Sequence, residues 1–206
     1  MKVCGIMEVG HAQAAVDAGA DAIGFIFAQS RRKVSLDAAK EICESIPSSV
    51  MKVGVFVDAG KDEIEKTAAE CSLDYVQLHG NETPEFIQSL SVPSYKALPI
   101  KEKRDLDGIE EFPGRFILLD SGHGSARGGN GTTFDWSYLK NISIDKKVIL
   151  AGGLNSNNIE MAVKEVNPYM VDVSSGVETN KVKDIRKIKE FIIKAKNISR
   201  MKEEVQ

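Results

Sequence analysis

An aspartate, a cysteine, an arginine pair and two glycine-bearing turns are the residues whose types and settings point to chemistry. Asp120 directly follows the apolar run Phe116-Ile117-Leu118-Leu119 and opens a loop over 121–133, the most glycine-rich in the chain. A carboxyl placed there is a cap, an ion-pair partner or a functional group, and with its pKa raised it serves as a general acid. Cys4 lies in the first apolar segment. A thiol becomes a general base when a positive field lowers its pKa from about 8.5, yet a lone cysteine reads more often as an inert buried residue. Arg31 and Arg32 offer a planar fork for a carboxylate, a role few surface arginines have. His79 reads with equal weight as a ligand contact or as a satisfied structural histidine. Gly152-Gly153 and Ser174-Ser175-Gly176 combine close backbone approach with hydroxyl donors, which is how proteins hold a phosphate; the plainer reading is of turns that precede helices.

These residues act together only if one fold gathers them. Short apolar runs at 3–6, 22–27, 51–57, 74–78, 94–98, 116–120, 147–153 and 170–174 alternate with segments of helical period. Helices are expected over 8–18, 35–46 with Ser35 as N-cap, 62–71, from Pro84 after a capping Thr83, 102–111, 136–139, from a capping Asn155 to 166, and 185–196. About eight strand–helix repeats predict an α/β fold, a single-domain (β/α)8 TIM barrel over 1–206 whose end, 197–206, frays. An open doubly wound sheet is the rival, but it would carry GxGxxG or GxxxxGK[ST] after its first strand, and neither occurs. In a barrel every strand's C-terminal residue reaches one face. That places Cys4 and Asp120, from strands one and six, across the mouth from each other, where an acid and a base act on opposite ends of one small substrate. The turns after strands seven and eight fall where barrel enzymes commonly bind phosphate.

The net charge of -3, with acids and bases interspersed, gives no basic stripe for nucleic acid and no cationic face for a membrane. Small anionic substrates stay open, because a few local cations and backbone N–H groups suffice for them. Cys4, Cys43 and Cys71 lack any CxxC pairing, so neither a disulfide framework nor a metal site is indicated; Cys43 and Cys71 read as core. With no signal-peptide core and no run of about 18 apolar residues, a cytoplasmic protein is expected.

Five segments, in order from first strand to last, resemble phosphoribosylanthranilate isomerase of tryptophan biosynthesis. They are Lys2-Val3-Cys4-Gly5-Ile6; Gly19-Ala20-Asp21-Ala22-Ile23-Gly24-Phe25 with Ser30-Arg31-Arg32-Lys33-Val34-Ser35; Val76-Gln77-Leu78-His79-Gly80; Leu118-Leu119-Asp120 with 128–136; and Ala151-Gly152-Gly153-Leu154 with 171–178. The resemblance implies an aldose–ketose isomerisation, the Amadori rearrangement of N-(5-phosphoribosyl)anthranilate, with no cofactor and no metal. It implies Asp120 as general acid, Cys4 as general base and Arg32 as ligand of the anthranilate carboxylate. Gln77, His79 and Asp172 would line the substrate pocket, and Gly152, Gly153, Ser174, Ser175 and Gly176 would cradle the phosphate. The glycines after Asp120 would form a mobile cover or a substrate-positioning loop. Two positions depart from the family pattern: Lys33 stands where a ring is common, and Asn180-Lys181-Val182 where a glycine is common. Asparagine adopts left-handed backbone, so the turn there is expected to survive. Another sugar-phosphate barrel enzyme and a non-catalytic phosphate-binding barrel are the alternatives. No helical face demands a dimer, which leaves monomer and homodimer open.

Overall fold

Eight parallel strands close into a barrel in sequence order, because β1 pairs with β8 as well as with β2. The computed structural model describes residues 1–121, 133–140 and 142–203, with side chains as far as Ile198. The strands are β1 (Lys2–Cys4), β2 (Ala22–Ile26), β3 (Met51–Phe56), β4 (Tyr75–Leu78), β5 (Ser94–Ile100), β6 (Phe116–Ser121), β7 (Lys147–Leu150) and β8 (Met170–Val173). Helices α1 (Val9–Asp17), α2 (Leu36–Ser45), α3 (Lys61–Glu70), α4 (Pro84–Ser89), α5 (Ile159–Val166) and α6 (Ile185–Glu203) follow strands one to four, seven and eight. Among the described residues no helix is long and apolar enough to cross a membrane.

Local signals act as expected at two caps. Ser35 accepts a hydrogen bond from the Ala38 amide and Thr83 one from the Phe86 amide, each satisfying an orphan donor of the first turn. Three expectations are corrected. The segment 102–111 is two 3-10 turns, Lys103–Leu106 and Ile109–Glu111, because Asp105 folds back onto the Lys101 and Glu102 amides and Gly108 takes left-handed backbone between them. Helix α5 starts at Ile159, not after Asn155: the Asn155 side chain takes the Asn157 amide in a local turn, and Asn158 is the capping position. Helix α6 continues past 196 to Glu203.

Period-two alternation divides the barrel into two cores. Val3, Ile23, Val76, Leu78, Ile117 and Leu119 face outward and pack with helical residues such as Ile64, Ile188 and Phe191. The opposite set, including Ala22, Val53, Tyr95, Ala97, Phe116, Leu118, Ile149 and Met170, fills the interior. Each inward column therefore ends in a different residue at the mouth. Lys2 precedes Cys4, Tyr75 and Gln77 precede His79, Phe116 and Leu118 precede Asp120, and Met170 and Asp172 precede Ser174.

Candidate active site

A pocket of about 670 Å³ opens at the C-terminal end of the barrel. It gathers Cys4, Arg31, Arg32, Gln77, His79, Asp120, Gly152, Gly153, Asp172, Ser174 and Ser175, with apolar walls from Ile26, Val55, Val57, Ala151 and Leu154. Ten of the eleven residues expected at a site thus share one cavity. Gly176 stands just outside it: a Cβ there would overlap the Leu154 carbonyl, so its part is to let the β8 turn close on the β7 turn.

Asp120 is 6% exposed. Burial pushes its carboxyl up to about 7, with the Asp172 carboxylate adding to the effect, against the Ser121 amide and Lys2. Its Oδ2 faces His79 Nε2 at 3.6 Å, and Ser121 Oγ lies 3.5 Å from Oδ1. Gly152, expected as part of a phosphate cradle, is packed against this carboxylate. A Cβ on it would overlap the Ser121 amide nitrogen and lie 2.7 Å from Asp120 Oδ1, and its φ of 84° is left-handed.

Cys4 departs from expectation in one respect. Burial pushes its thiol above the ordinary value; the Lys2 ammonium opposes this, Asp172 adds to it, and Lys183 opposes it. Two nearby cations do not outweigh the loss of water around the sulfur. At neutral pH the thiol therefore keeps its proton.

Arg32 is 7% exposed and is held by Glu178, Nε to Oε1 at 2.6 Å and Nη2 to Oε2 at 3.2 Å. Its stem crosses Gly5, where a Cβ would lie 2.7 Å from Cδ and where φ is 74°. Burial works against ionisation of Glu178, yet Arg32, Lys183 and Arg31 hold its carboxyl down to about 2. The hairpin β9 (Glu178–Thr179) and β10 (Val182–Lys183) that carries Glu178 turns through Asn180 and Lys181, both at positive φ. The turn lacking a glycine survives, as expected, and Arg31 donates to the Lys181 carbonyl at 2.7 Å.

Beneath the mouth lies a network that residue-type reasoning missed. Lys2, fully buried, donates to Asp172 Oδ2 at 2.6 Å and to Gln77 Oε1 at 2.8 Å. Burial lowers the Lys2 pKa, but Asp172, Cys4 and Tyr95 together outweigh it and hold the ammonium above its ordinary range. Tyr95 Oη also donates to Gln77 Oε1, at 3.1 Å, and Gln77 Nε2 meets His79 Nδ1 at 3.1 Å. Asp172 Oδ1 is buried with no hydrogen-bond partner among the described residues. The signal that would have found Lys2 is its place two residues before Cys4 on an inward strand face.

The family model described as N-(5'phosphoribosyl)anthranilate (PRA) isomerase matches residues 1–194. The chain is 48% identical over 202 residues to a protein of Bacillus cereus named N-(5'-phosphoribosyl)anthranilate isomerase, covering 97% of this chain and 100% of that protein. The chain belongs to the N-(5'-phosphoribosyl)anthranilate isomerase family. It is thereby an isomerase of tryptophan biosynthesis, as the resemblance implied. A solved family member from Thermotoga maritima superposes with a TM-score of 0.87 at 38% identity, covering 95% of this chain and 98% of that one. Another, solved in complex with reduced 1-(o-carboxyphenylamino)-1-deoxyribulose 5-phosphate, superposes at 0.82 with 36% identity over 95% and 97% of the two chains. The family's (β/α)8 barrel is the fold described above. The residues 122–132, expected to cover the site, lie outside the described residues.

Proposed function

We propose that Asp120 and Cys4 divide the family's rearrangement between them in this pocket, as general acid and general base. The substrate is N-(5-phosphoribosyl)anthranilate, and the product is 1-(2-carboxyphenylamino)-1-deoxyribulose 5-phosphate. Protonated Asp120 gives its proton to the furanose ring oxygen as the C1–O bond breaks, and the anthranilate nitrogen supplies the electron pair that forms the iminium. Cys4, its own proton released to solvent as the iminium forms, then takes the C2 proton as the thiolate, and the C–H electrons move to the iminium to give an enolamine. Tautomerisation of the enolamine gives the aminoketone; atoms and electrons balance, and no oxidant or cofactor enters.

The observation that carries this reading is a buried carboxyl with its pKa near neutrality, sharing one cavity with a buried thiol. At neutral pH such a carboxyl still holds its proton in part, as a general acid needs. The elevated thiol fits the order of steps. A positive iminium formed beside Cys4 adds to the field of Lys2 and Lys183, so the thiolate is favoured once the ring has opened.

Arg32, anchored by Glu178, takes the anthranilate carboxylate. The unpartnered Asp172 Oδ1 accepts a substrate hydroxyl or amine N–H. Gly153, Ser174 and Ser175 hold the phosphate, with Gly152 and Gly176 shaping the turns. The partner is thus a small phosphorylated molecule and not a nucleic acid; the chain works in the cytoplasm, as a monomer or a homodimer.

Loss of anthranilate-type fluorescence on mixing with freshly made phosphoribosylanthranilate tests the assignment. Wild type turns over, while Cys4→Ala and Asp120→Asn lose on the order of 10²- to 10⁴-fold in kcat. Comparable turnover by either variant overturns its role.

A further inference from the structure

Lys2, Gln77 and His79 form a chain that runs from β1 through β4 to the carboxyl on β6, and each link fixes the chemical form of the next. A lysine ammonium only donates hydrogen bonds, so the 2.8 Å contact from Lys2 must end on the carbonyl oxygen of the Gln77 amide. The Tyr95 hydroxyl donates to the same oxygen. That settles the rotation of an amide whose two ends are otherwise alike. The NH₂ of Gln77 therefore faces His79 Nδ1, at 3.1 Å. Because an NH₂ group also only donates, Nδ1 must accept, and the single proton of the neutral ring sits on Nε2. An imidazolium would set two donors against each other at the same place. Lys2 is 0%, Gln77 2% and Tyr95 2% exposed, so water does not compete for the bonds to the Gln77 carbonyl.

We propose that Gln77, oriented by Lys2, is a positioning residue that locks His79 as the Nε2–H tautomer, so that the ring shows Asp120 a proton and not a lone pair. The proposal rests on Asp120 being the general acid. His79 Nε2 stands 3.6 Å from Asp120 Oδ2. In the opposite tautomer a lone pair would face that carboxyl and compete for its proton. A proton drawn to that lone pair would leave a carboxylate and an imidazolium where an acid is needed. Among the described residues the charged groups that act most on this carboxyl are Asp172 from β8 and Lys2 from β1, and those two are bonded to each other.

The test is the tautomer itself, read by two-bond ¹H–¹⁵N correlation of the histidine-labelled protein near pH 8. The chain has three histidines, and the His79 signals are those lost in His79→Asn. Wild type is expected to give the Nε2–H pattern. Gln77→Glu keeps an oxygen for Lys2 and Tyr95 but presents a carboxylate to Nδ1. It is expected to switch the ring to Nδ1–H or imidazolium and to lower kcat at least about tenfold, with KM within about twofold. An Nδ1–H pattern in wild type overturns the proposal, as does a switched tautomer in Gln77→Glu with wild-type kcat. If Gln77→Glu does not fold, Gln77→Met, which removes donor and acceptor alike, is expected to give mixed tautomers; a pure Nε2–H pattern there overturns the part given to Gln77. Asp120→Asn separates the two levels. Wild-type turnover by that variant removes the acid assignment whatever the tautomer, whereas an inactive Asp120→Asn beside a failed tautomer result removes only the lock.

Discussion

Gly152→Ala distinguishes the two roles available to the turn after β7, holding phosphate or shaping the acid. An added Cβ at residue 152 would lie 2.6 Å from Ser121 Oγ and 2.7 Å from Asp120 Oδ1, and would overlap the Ser121 amide. Restoring an ordinary 3.4 Å contact moves the carboxylate by about 0.7 Å, and the backbone of β6 offers no flexible end to absorb the change. A misplacement of roughly 1 Å at a reacting group costs on the order of 10²-fold, so kcat is expected to fall roughly 10- to 100-fold. Because φ at this position is 84°, the alanine also adds about 1–2 kcal/mol of backbone strain. Steady-state fluorescence kinetics separates kcat from KM, and a denaturant or thermal melt reads the stability loss. If KM rises while kcat stays within about twofold of wild type, the residue serves the phosphate and the reasoning is refuted.

Other perturbations follow from the same geometry. Burial raises the Asp120 carboxyl from its ordinary 3.8 to about 7, so the folded state binds that proton more tightly than the unfolded chain. Its contribution to stability is full below about pH 4 and is lost as pH rises through 7. Asp120→Asn is therefore expected to be more stable than wild type by on the order of a few kcal/mol at pH 8, with the gap closing toward pH 4 in parallel denaturant titrations; equal stability at both pH values refutes the shift. Glu178→Gln removes the common partner of Arg32, Arg31 and Lys183. It is expected to raise KM more than it lowers kcat and to cost about 3 kcal/mol, since buried cations are left unpaired; an unchanged KM means the anchor does not position Arg32. Lys181→Gly relieves a left-handed lysine in the two-residue hairpin turn and is expected to stabilise the protein by roughly 0.5–1 kcal/mol, read as a higher denaturation midpoint.

Much of the molecule was legible in its residue order. Strand–helix alternation and the absence of a phosphate loop after the first strand pointed to the barrel, and Ser35 and Thr83 marked two helix starts; all are local signals. Asp120 stood out because a carboxyl after four apolar residues contradicts its surroundings, and Cys4 because the end of the first strand lies across a barrel's mouth from that acid. The segment 102–111 misled, since acidic composition suits a helix while the Asp105 side chain and Gly108 impose two tight turns.

What the sequence by itself determined is which residues stand at the ends of parallel strands, because strand period and turn chemistry are properties of neighbours in the chain. Only the tertiary structure decided what those residues become. Lys2 and Asp172 are far apart in sequence and meet because β1 closes on β8. Gln77 reads as a pocket residue, but Lys2 and Tyr95 turn it into the group that sets the proton on His79. The charge states of Asp120 and Cys4 depend on how much water the closed barrel removes and on which charges it leaves nearby. Those quantities arise from contacts between distant strands and are fixed only when the barrel closes.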